Sequence, residues 1–134
     1  MSSTIKPTPA VSTAQIFLID DEEIVLETFS AFLQERGFTN LHRFTSASDA
    51  IRMLRCLRPD LILTDVHMPE FSGGDLTKLV REFEHLESIP VVAITADDRP
   101  ETLDFVLQQW ADAVMVKPVT VDELVTTVET YVSQ

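Results

Sequence analysis

The order of strand and helix patterns in this chain predicts an α/β fold, a doubly wound five-stranded parallel sheet with strand order 2-1-3-4-5. Short β-branched apolar runs alternate with segments whose apolar residues recur at helical spacing. Such alternation predicts a parallel sheet that is covered by helices on both faces. Five strand–helix units fit within the 134 residues, and 2-1-3-4-5 is the common doubly wound order that has five strands.

The first two units each show a strand run followed by a helix pattern. Residues 16–19 form the first strand, and the helix after it is expected to end at Gly37, because glycine is typical of helix C-termini. Residues 41–44 form a short, weak second strand. Ser46 with Asp49 indicates a capping box that opens the second helix. The apolar positions of the two helices are Ile24, Val25, Phe29, Phe32 and Leu33, then Ala50, Ile51, Leu54 and Leu57.

The third unit begins after Pro59, a residue that ends the second helix. The third strand is residues 61–64, and its helix follows Gly73-Gly74. The apolar positions of this helix are Leu76, Leu79, Val80 and Phe83.

The fourth and fifth strands are residues 91–94, which follow Pro90, and residues 113–116. Thr120 with Glu123 indicates another capping box, which opens the last helix. The apolar positions of the two helices are Leu103, Val106 and Leu107, then Leu124, Val125, Val128 and Val132.

Composition limits the classes of function. Residues 1–14 are rich in Ser, Thr and Pro and predict a flexible N-terminal tail, while residues 15–134 are long enough for one domain. The net charge of −12 opposes direct contact with nucleic acid, and the apolar runs are too short to span a membrane. Cys56 has no second cysteine to pair with, and the N-terminus lacks a secretion signal. We expect a soluble, cytoplasmic protein.

Polar residues stand at the ends of four predicted strands. Asp20 and Asp21 follow the first strand, and Asp65, Thr95 and Lys117 follow the third, fourth and fifth. Ligands of such sheets bind at the carboxyl ends of the strands, so these side chains are expected to share one crevice. Three carboxylates suit Mg²⁺, and Mg²⁺ with the lysine would balance their charge and attract a phosphoryl group. Read singly, each residue also fits a helix cap, a turn or a solvated surface.

These residues together resemble the receiver domain of the response-regulator (CheY-like) family, which has a flavodoxin-like fold. The resemblance covers residues 15–134, and the matching motifs are Asp20-Asp21, Asp65-Val66-His67-Met68-Pro69 with Gly74, Thr95-Ala96 and Lys117-Pro118. It implies a two-component phosphorelay in which Asp65 accepts a phosphoryl group from the phosphohistidine of a sensor histidine kinase or phosphotransfer protein. It also implies a signalling domain, not an enzyme, although such a domain promotes its own phosphorylation and slow dephosphorylation.

The resemblance assigns a role to each site residue. Mg²⁺, or alternatively Mn²⁺, would be held by Asp20, Asp21, Asp65 and the backbone carbonyl of His67, with Asp21 favoured over Asp20 as the direct ligand. Thr95 would be the switch hydroxyl and Lys117 the partner of the phosphate, with a cis Lys117-Pro118 bond. His67 and Asp97 stand where the family adjusts the rate of dephosphorylation.

Departures from the family concern the readout. Val114 replaces the usual aromatic residue three positions before the lysine, and Trp110 stands where glycine is usual. Phe71 and Gly73 occupy positions where the family often has Met and Asp. The resemblance places the output on the face of the fourth helix, fifth strand and fifth helix, for a downstream effector or a homodimer. On that face Phe105 is expected to be an exposed anchor.

Two other functions remain open at this stage. A degenerate receiver would bind a partner without becoming phosphorylated, although the complete set of site residues argues against it. An aspartyl-nucleophile phosphatase would carry a second acid two residues after the nucleophile, where this chain has His67. A stand-alone receiver and a piece of a longer regulator or hybrid kinase both fit the sequence.

Overall fold

The fold predicted from the alternating pattern is confirmed by the computed structural model, which describes residues 12–69 and 71–132. Five parallel strands form one sheet in the order β2-β1-β3-β4-β5. The strands are β1 (Ser12–Ile19), β2 (Phe38–Phe44), β3 (Leu61–Asp65), β4 (Val91–Thr95) and β5 (Ala113–Val116). The helices are α1 (Glu23–Glu35), α2 (Ala47–Leu54), α3 (Gly73–Glu82), α4 (Pro100–Gln109) and α5 (Val121–Val132), with a 3₁₀ turn at Glu84–Leu86.

The central strands contain continuous apolar runs, residues 16–19, 61–63 and 91–94, and these runs are buried on both faces of the sheet. Side chains alternate between the faces along a strand, so Ile16 and Leu18 point to one side of β1 and Phe17 and Ile19 to the other. One face packs against α1 and α5, and the opposite face packs against α2 and α3. Val106 of α4 adds a smaller cluster with Val66, Ala93 and Ala111.

The boundary that we predicted between tail and domain is wrong by a few residues. We assigned residues 12–14 to the flexible tail, but β1 begins at Ser12. The amide of Ser12 donates a hydrogen bond to the carbonyl oxygen of Gly37 at 2.7 Å, and Ser12 pairs with Phe38 of β2. Strand pairing is a backbone interaction, so a polar segment can extend β1 at its amino end. The remainder of the predicted tail, residues 1–11, lies outside the described residues.

The predicted helix ends are largely confirmed. Gly37 follows α1 with a φ of 92°, a left-handed conformation that suits glycine. Ser46 caps α2 by accepting a hydrogen bond from the amide of Asp49 at 3.2 Å. Thr120 and Glu123 form the reciprocal capping box of α5. A further capping box, Ser72 with Asp75 at the start of α3, escaped the sequence analysis.

The strand register brings four strand ends to one edge of the sheet. β1, β3, β4 and β5 are parallel, so their carboxyl ends lie on the same side. The last pairs at that side are Ile19 with Thr64, Asp65 with Ile94, and Thr95 with Val116. The polar residues that close these strands therefore start from neighbouring backbone positions. None of the helices within residues 12–69 and 71–132 is both long enough and apolar enough to cross a membrane.

Trp110 packs across the first turn of α3, and two glycines make room for it. A Cβ atom on Gly73 would lie 2.9 Å from Cη2 of Trp110 and would collide with the carbonyl oxygen of Asp65. A Cβ atom on Gly74 would lie 3.1 Å from Nε1 of Trp110. The indole thus occupies space that a side chain at residue 73 would need. Trp110 is half-buried and packs against the α2–α3 cluster and against the cluster of Val106.

We predict that Gly73→Ala lowers the free energy of unfolding by about 1–3 kcal/mol, because the added methyl group meets a backbone oxygen that cannot move aside. Gly74→Ala is the matched control, since its methyl group meets only an indole edge and alanine favours the helix. Urea unfolding of both variants measures the difference. Equal stability of Gly73→Ala and the parent chain would contradict the packing argument.

Candidate functional site

Three carboxylates meet at the carboxyl edge of the sheet. Asp20 and Asp21 follow β1, and Asp65 is the last residue of β3. Ligand oxygens of the three side chains all lie within 4.8 Å of one another. Asp20 and Asp65 are buried, whereas Asp21 is exposed at the mouth of the site. The acidic cluster that the sequence predicted is therefore formed.

Asp20 is held so that one oxygen is left for the site. Its Oδ1 accepts a hydrogen bond from the amide of Glu22 at 2.9 Å, which fixes the turn into α1. Its Oδ2 is fully buried, and no hydrogen-bond donor of the described residues is aligned with it. Lys117 Nζ lies 2.9 Å from this oxygen but off the direction that a hydrogen bond requires. A buried carboxylate oxygen in this state is a ready ligand for a cation.

Lys117 is the cation that faces this cluster. It directly follows β5, and its amide donates to the carbonyl oxygen of Thr95 at 2.8 Å. Its Nζ lies 3.6 Å from Oδ2 of Asp65 and 3.8 Å from Oε1 of Glu22. Burial acts to lower the pKa of Lys117, but Asp20, Asp65 and Glu22 outweigh it, and the pKa is raised. The lysine therefore stays charged among the acids.

One ammonium does not balance the carboxylates around Asp65. Burial, followed by the charge of Asp20, raises the pKa of Asp65 from 3.8 to about 6. Asp21 acts in the same direction, while Lys117 and the backbone amide of His67 oppose it. The site thus carries an excess of negative charge that a divalent cation would neutralise.

Thr95 ends β4 and is fully buried. Its Oγ1 accepts a hydrogen bond from the amide of Asp97 at 3.0 Å. Within residues 12–69 and 71–132, no acceptor for the Thr95 hydroxyl proton is found, so this proton is available to an oxygen that enters the site. The hydroxyl, the ammonium and the carboxylates are therefore brought to one edge, as expected.

Asp97 and His67 were predicted to modify the rate of dephosphorylation. The Asp97 side chain is held by hydrogen bonds, whereas the His67 side chain is exposed. Both carboxylate oxygens of Asp97 are occupied by Arg99 and Thr102. The hydrogen bond from the Arg99 side chain is the main reason that the pKa of Asp97 is lowered. The His67 side chain is exposed and lines a groove between α3 and α4. An effect of either residue on the rate of dephosphorylation stays a prediction.

The groove between α3 and α4 has a volume of about 670 Å³. Its lining corrects the face on which we expected Phe105. Phe105 is 61% exposed and lines this groove together with Thr102 and Trp110. The exposure that we predicted for Phe105 is confirmed, but the face is not, because Phe105 lies on the α3 side of α4. Leu107, which is 43% exposed, is two residues further along α4 and therefore points to roughly the opposite side of the helix from Phe105.

Val114 stands in β5 at the position where the family usually has an aromatic residue. It is half-buried in β5 and packs against the cluster of Val66, Ala93, Val106 and Ala111. The partners of Asp97 were not predicted from the sequence, although an Asp followed two residues later by Arg was a usable signal. Glu22 was not predicted either, because its contact with Lys117 depends on the fold.

Comparison with known proteins agrees with this geometry. Residues 16–129 match the family model of the response regulator receiver domain. The chain is 30% identical over 119 residues to the polar-differentiation response regulator DivK of Brucella ovis. The aligned region covers 89% of this chain and 96% of that protein.

Solved structures show the same fold. The receiver domain of a signal transduction histidine kinase from Syntrophus aciditrophicus superposes with a TM-score of 0.81 at 29% identity, covering 90% of this chain and 91% of that one. The receiver domain of a Pseudomonas aeruginosa sensor histidine kinase, solved with magnesium in its active site cleft, gives 0.82 at 23% identity over 92% and 100% of the two chains. The family model spans most of the chain and its motifs meet in one site, so the chain belongs to the response regulator receiver domain family.

Proposed function

We propose that this receiver domain is a phosphoacceptor switch in which Asp65 takes the phosphoryl group from the phosphohistidine of a sensor histidine kinase or phosphotransfer protein. The observation that carries the proposal is the position of Asp65, a buried carboxylate whose Oδ2 lies 3.6 Å from Lys117 Nζ and beside two further acids. A carboxylate needs no base to act as a nucleophile. It does need positive charge nearby, because the phosphoryl donor is also an anion.

The donor set suits Mg²⁺, with Mn²⁺ as an alternative. Asp20, Asp21, Asp65 and the backbone carbonyl of His67 would hold the ion, and the buried, unaligned Oδ2 of Asp20 supports this assignment. A hard cation held by carboxylate and carbonyl ligands would supply positive charge that lowers the repulsion between Asp65 and the phosphoryl group and that stabilises the transition state.

The transfer forms one bond and breaks another. A carboxylate oxygen of Asp65 attacks phosphorus, the P–N bond of the phosphohistidine breaks, and the imidazole nitrogen keeps the electron pair. Lys117 is already 3.6 Å from Asp65, so its ammonium can pair with the new phosphoryl group. The unused hydroxyl proton of Thr95 can donate to another phosphoryl oxygen.

An apolar surface beside the site suits a phosphodonor protein. Ile24 at the start of α1 is 65% exposed, and it lines a groove with Val25, Pro118 and Lys117. A partner that rests on this groove would bring its histidine to the open mouth of the site. Phosphorylation would alter the α4-β5-α5 face for binding of a downstream effector or a second copy.

We predict that Asp65→Asn abolishes uptake of a phosphoryl group from acetyl phosphate in the presence of Mg²⁺, because the amide is not a nucleophile. Asp98→Asn is the control, since Asp98 is exposed and makes no side-chain hydrogen bond or ion pair with the rest of the described chain. Intact-protein mass spectrometry detects one added phosphoryl group. Uptake by Asp65→Asn would refute the assignment, and repeated turnover of a phosphomonoester would favour a phosphatase.

Stability should depend on pH through Asp65. In the metal-free domain the pKa of Asp65 is about 6, above its ordinary 3.8, so the folded state binds a proton more readily than the unfolded state. The Asp65 contribution should therefore make the free energy of unfolding rise as pH falls from neutral through about 6 and level off near 3.8. At neutral pH, Asp65→Asn should stabilise the domain by on the order of 2 kcal/mol.

Urea unfolding in EDTA at neutral pH and at about pH 5 tests this prediction. The difference in free energy of unfolding between the parent chain and Asp65→Asn should be smaller at the lower pH. Added Mg²⁺ should stabilise the parent chain more than the variant, because the cation relieves the same repulsion. A variant that is less stable than the parent at neutral pH would contradict the electrostatic argument.

Trp110 should report on the occupied site. It is the single tryptophan of the chain, and its ring contacts Gly73, the residue that also abuts the carbonyl oxygen of Asp65. We expect beryllofluoride with Mg²⁺ to change the indole emission, and we expect EDTA to prevent the change. Asp65→Asn should remove it. A parent chain that shows no Mg²⁺-dependent response would favour the degenerate receiver.

A further inference from the structure

Thr95 is connected to the start of α4 through one residue, Asp97. The backbone amide of Asp97 donates to Thr95 Oγ1 at 3.0 Å. Its carboxylate accepts from the hydroxyl of Thr102 at 2.9 Å and from the amide of Arg99 at 3.0 Å. Arg99 is the N-cap residue of α4 and Thr102 lies in the first turn, so the connection ends on the helix itself.

The carboxylate of Asp97 also determines how α4 begins. Arg99 makes no side-chain cap of its own, and its guanidinium instead binds Asp97, with Nε 2.9 Å from Oδ1 and Nη2 2.6 Å from Oδ2. Two parallel charge-assisted bonds give this pair a defined geometry. A negative charge beside the first turn of a helix is also favourable. Asp97 thus holds the amide, the guanidinium and the Thr102 hydroxyl at once.

The aromatic residue that the family usually has on β5 is replaced by Val114 in this chain. Val114 is an aliphatic residue packed among Val66, Ala93 and Val106, and it has no polar atom that could follow Thr95. Within the described residues, the Thr95 hydroxyl has a single hydrogen-bond partner, the amide of Asp97. Rotation of the hydroxyl proton alone leaves this bond intact, but a movement of Thr95 Oγ1 toward an incoming oxygen strains the bond or pulls the amide along.

We propose that Asp97 is a positioning residue that conveys the state of Thr95 to the start of α4, in place of an aromatic residue at Val114. The proposal rests on the proposed function, since it needs a phosphoryl group at Asp65 to draw the Thr95 hydroxyl. The affected side of α4 carries Thr102 and Phe105, which line the α3–α4 groove. The signal therefore reaches this groove as well as the face beside β5.

Amide NMR of the ¹⁵N-labelled chain with Mg²⁺ and beryllofluoride separates the two ends of this connection. In the parent chain, amide signals of both the site (residues 65–67 and 117) and α4 (residues 100–109) should shift. In Asp97→Ala the site signals should still shift, whereas the shifts along α4 should fall by about threefold or more. Asp97→Asn, which keeps an acceptor oxygen for Thr102, should restore part of the α4 response.

Asp98→Ala is the matched control and should leave both responses intact, because the neighbouring Asp98 side chain has no such contacts among the described residues. Thr102→Val removes one bond without touching Asp97 and should weaken the α4 response in the same direction, so it tests the proposal even where Asp97→Ala fails to fold. Undiminished α4 shifts in Asp97→Ala or Thr102→Val would overturn the proposal. Absent site shifts in the parent chain would instead overturn the proposed function.

Discussion

The interaction on which this structure depends is the contact of Lys117 with the carboxylates of Asp20 and Asp65. Its ammonium lies 2.9 Å from the first and 3.6 Å from the second, within a site where both acids are buried. Burial raises the pKa of Asp65 to about 6, and the charge of Asp20 adds to this rise because one ammonium cannot neutralise the three carboxylates of the cluster. The fold therefore holds an electrostatic imbalance at the edge of its sheet, and a bound cation would relieve it.

The rest of the domain makes this imbalance tolerable. Two apolar clusters cover the faces of the central sheet, and the site residues extend from the ends of strands that those clusters fix. A parallel sheet is well suited to this, because burial of both faces leaves the strand ends as the place for polar groups. The function we propose uses the imbalance, since the same acids that repel one another would attract Mg²⁺ to the side of Asp65.

Several residues that depart from the family pattern lie close together on the side of the domain that carries α3 and α4. Trp110 and Gly73 each depart from the usual residue, and they are in contact, with the indole occupying the space over the glycine. Val114 removes the aromatic ring from β5, while Asp97 connects the buried Thr95 to the first turn of α4. Both changes act on the side of the domain that faces α3 and α4, where Phe105 is exposed.

Sequence was sufficient for the strand order, for the meeting of the polar residues at one edge of the sheet and for most helix caps, because these depend on local patterns and on the rule that parallel strands end together. It failed where through-space neighbours matter. Ser12 pairs with Phe38 through backbone bonds that composition does not report, and Phe105 lies beside α3 because of how α4 packs. The contacts of Trp110 with Gly73 and of Lys117 with Asp20 join residues far apart in the chain, so only the packed fold sets their distances.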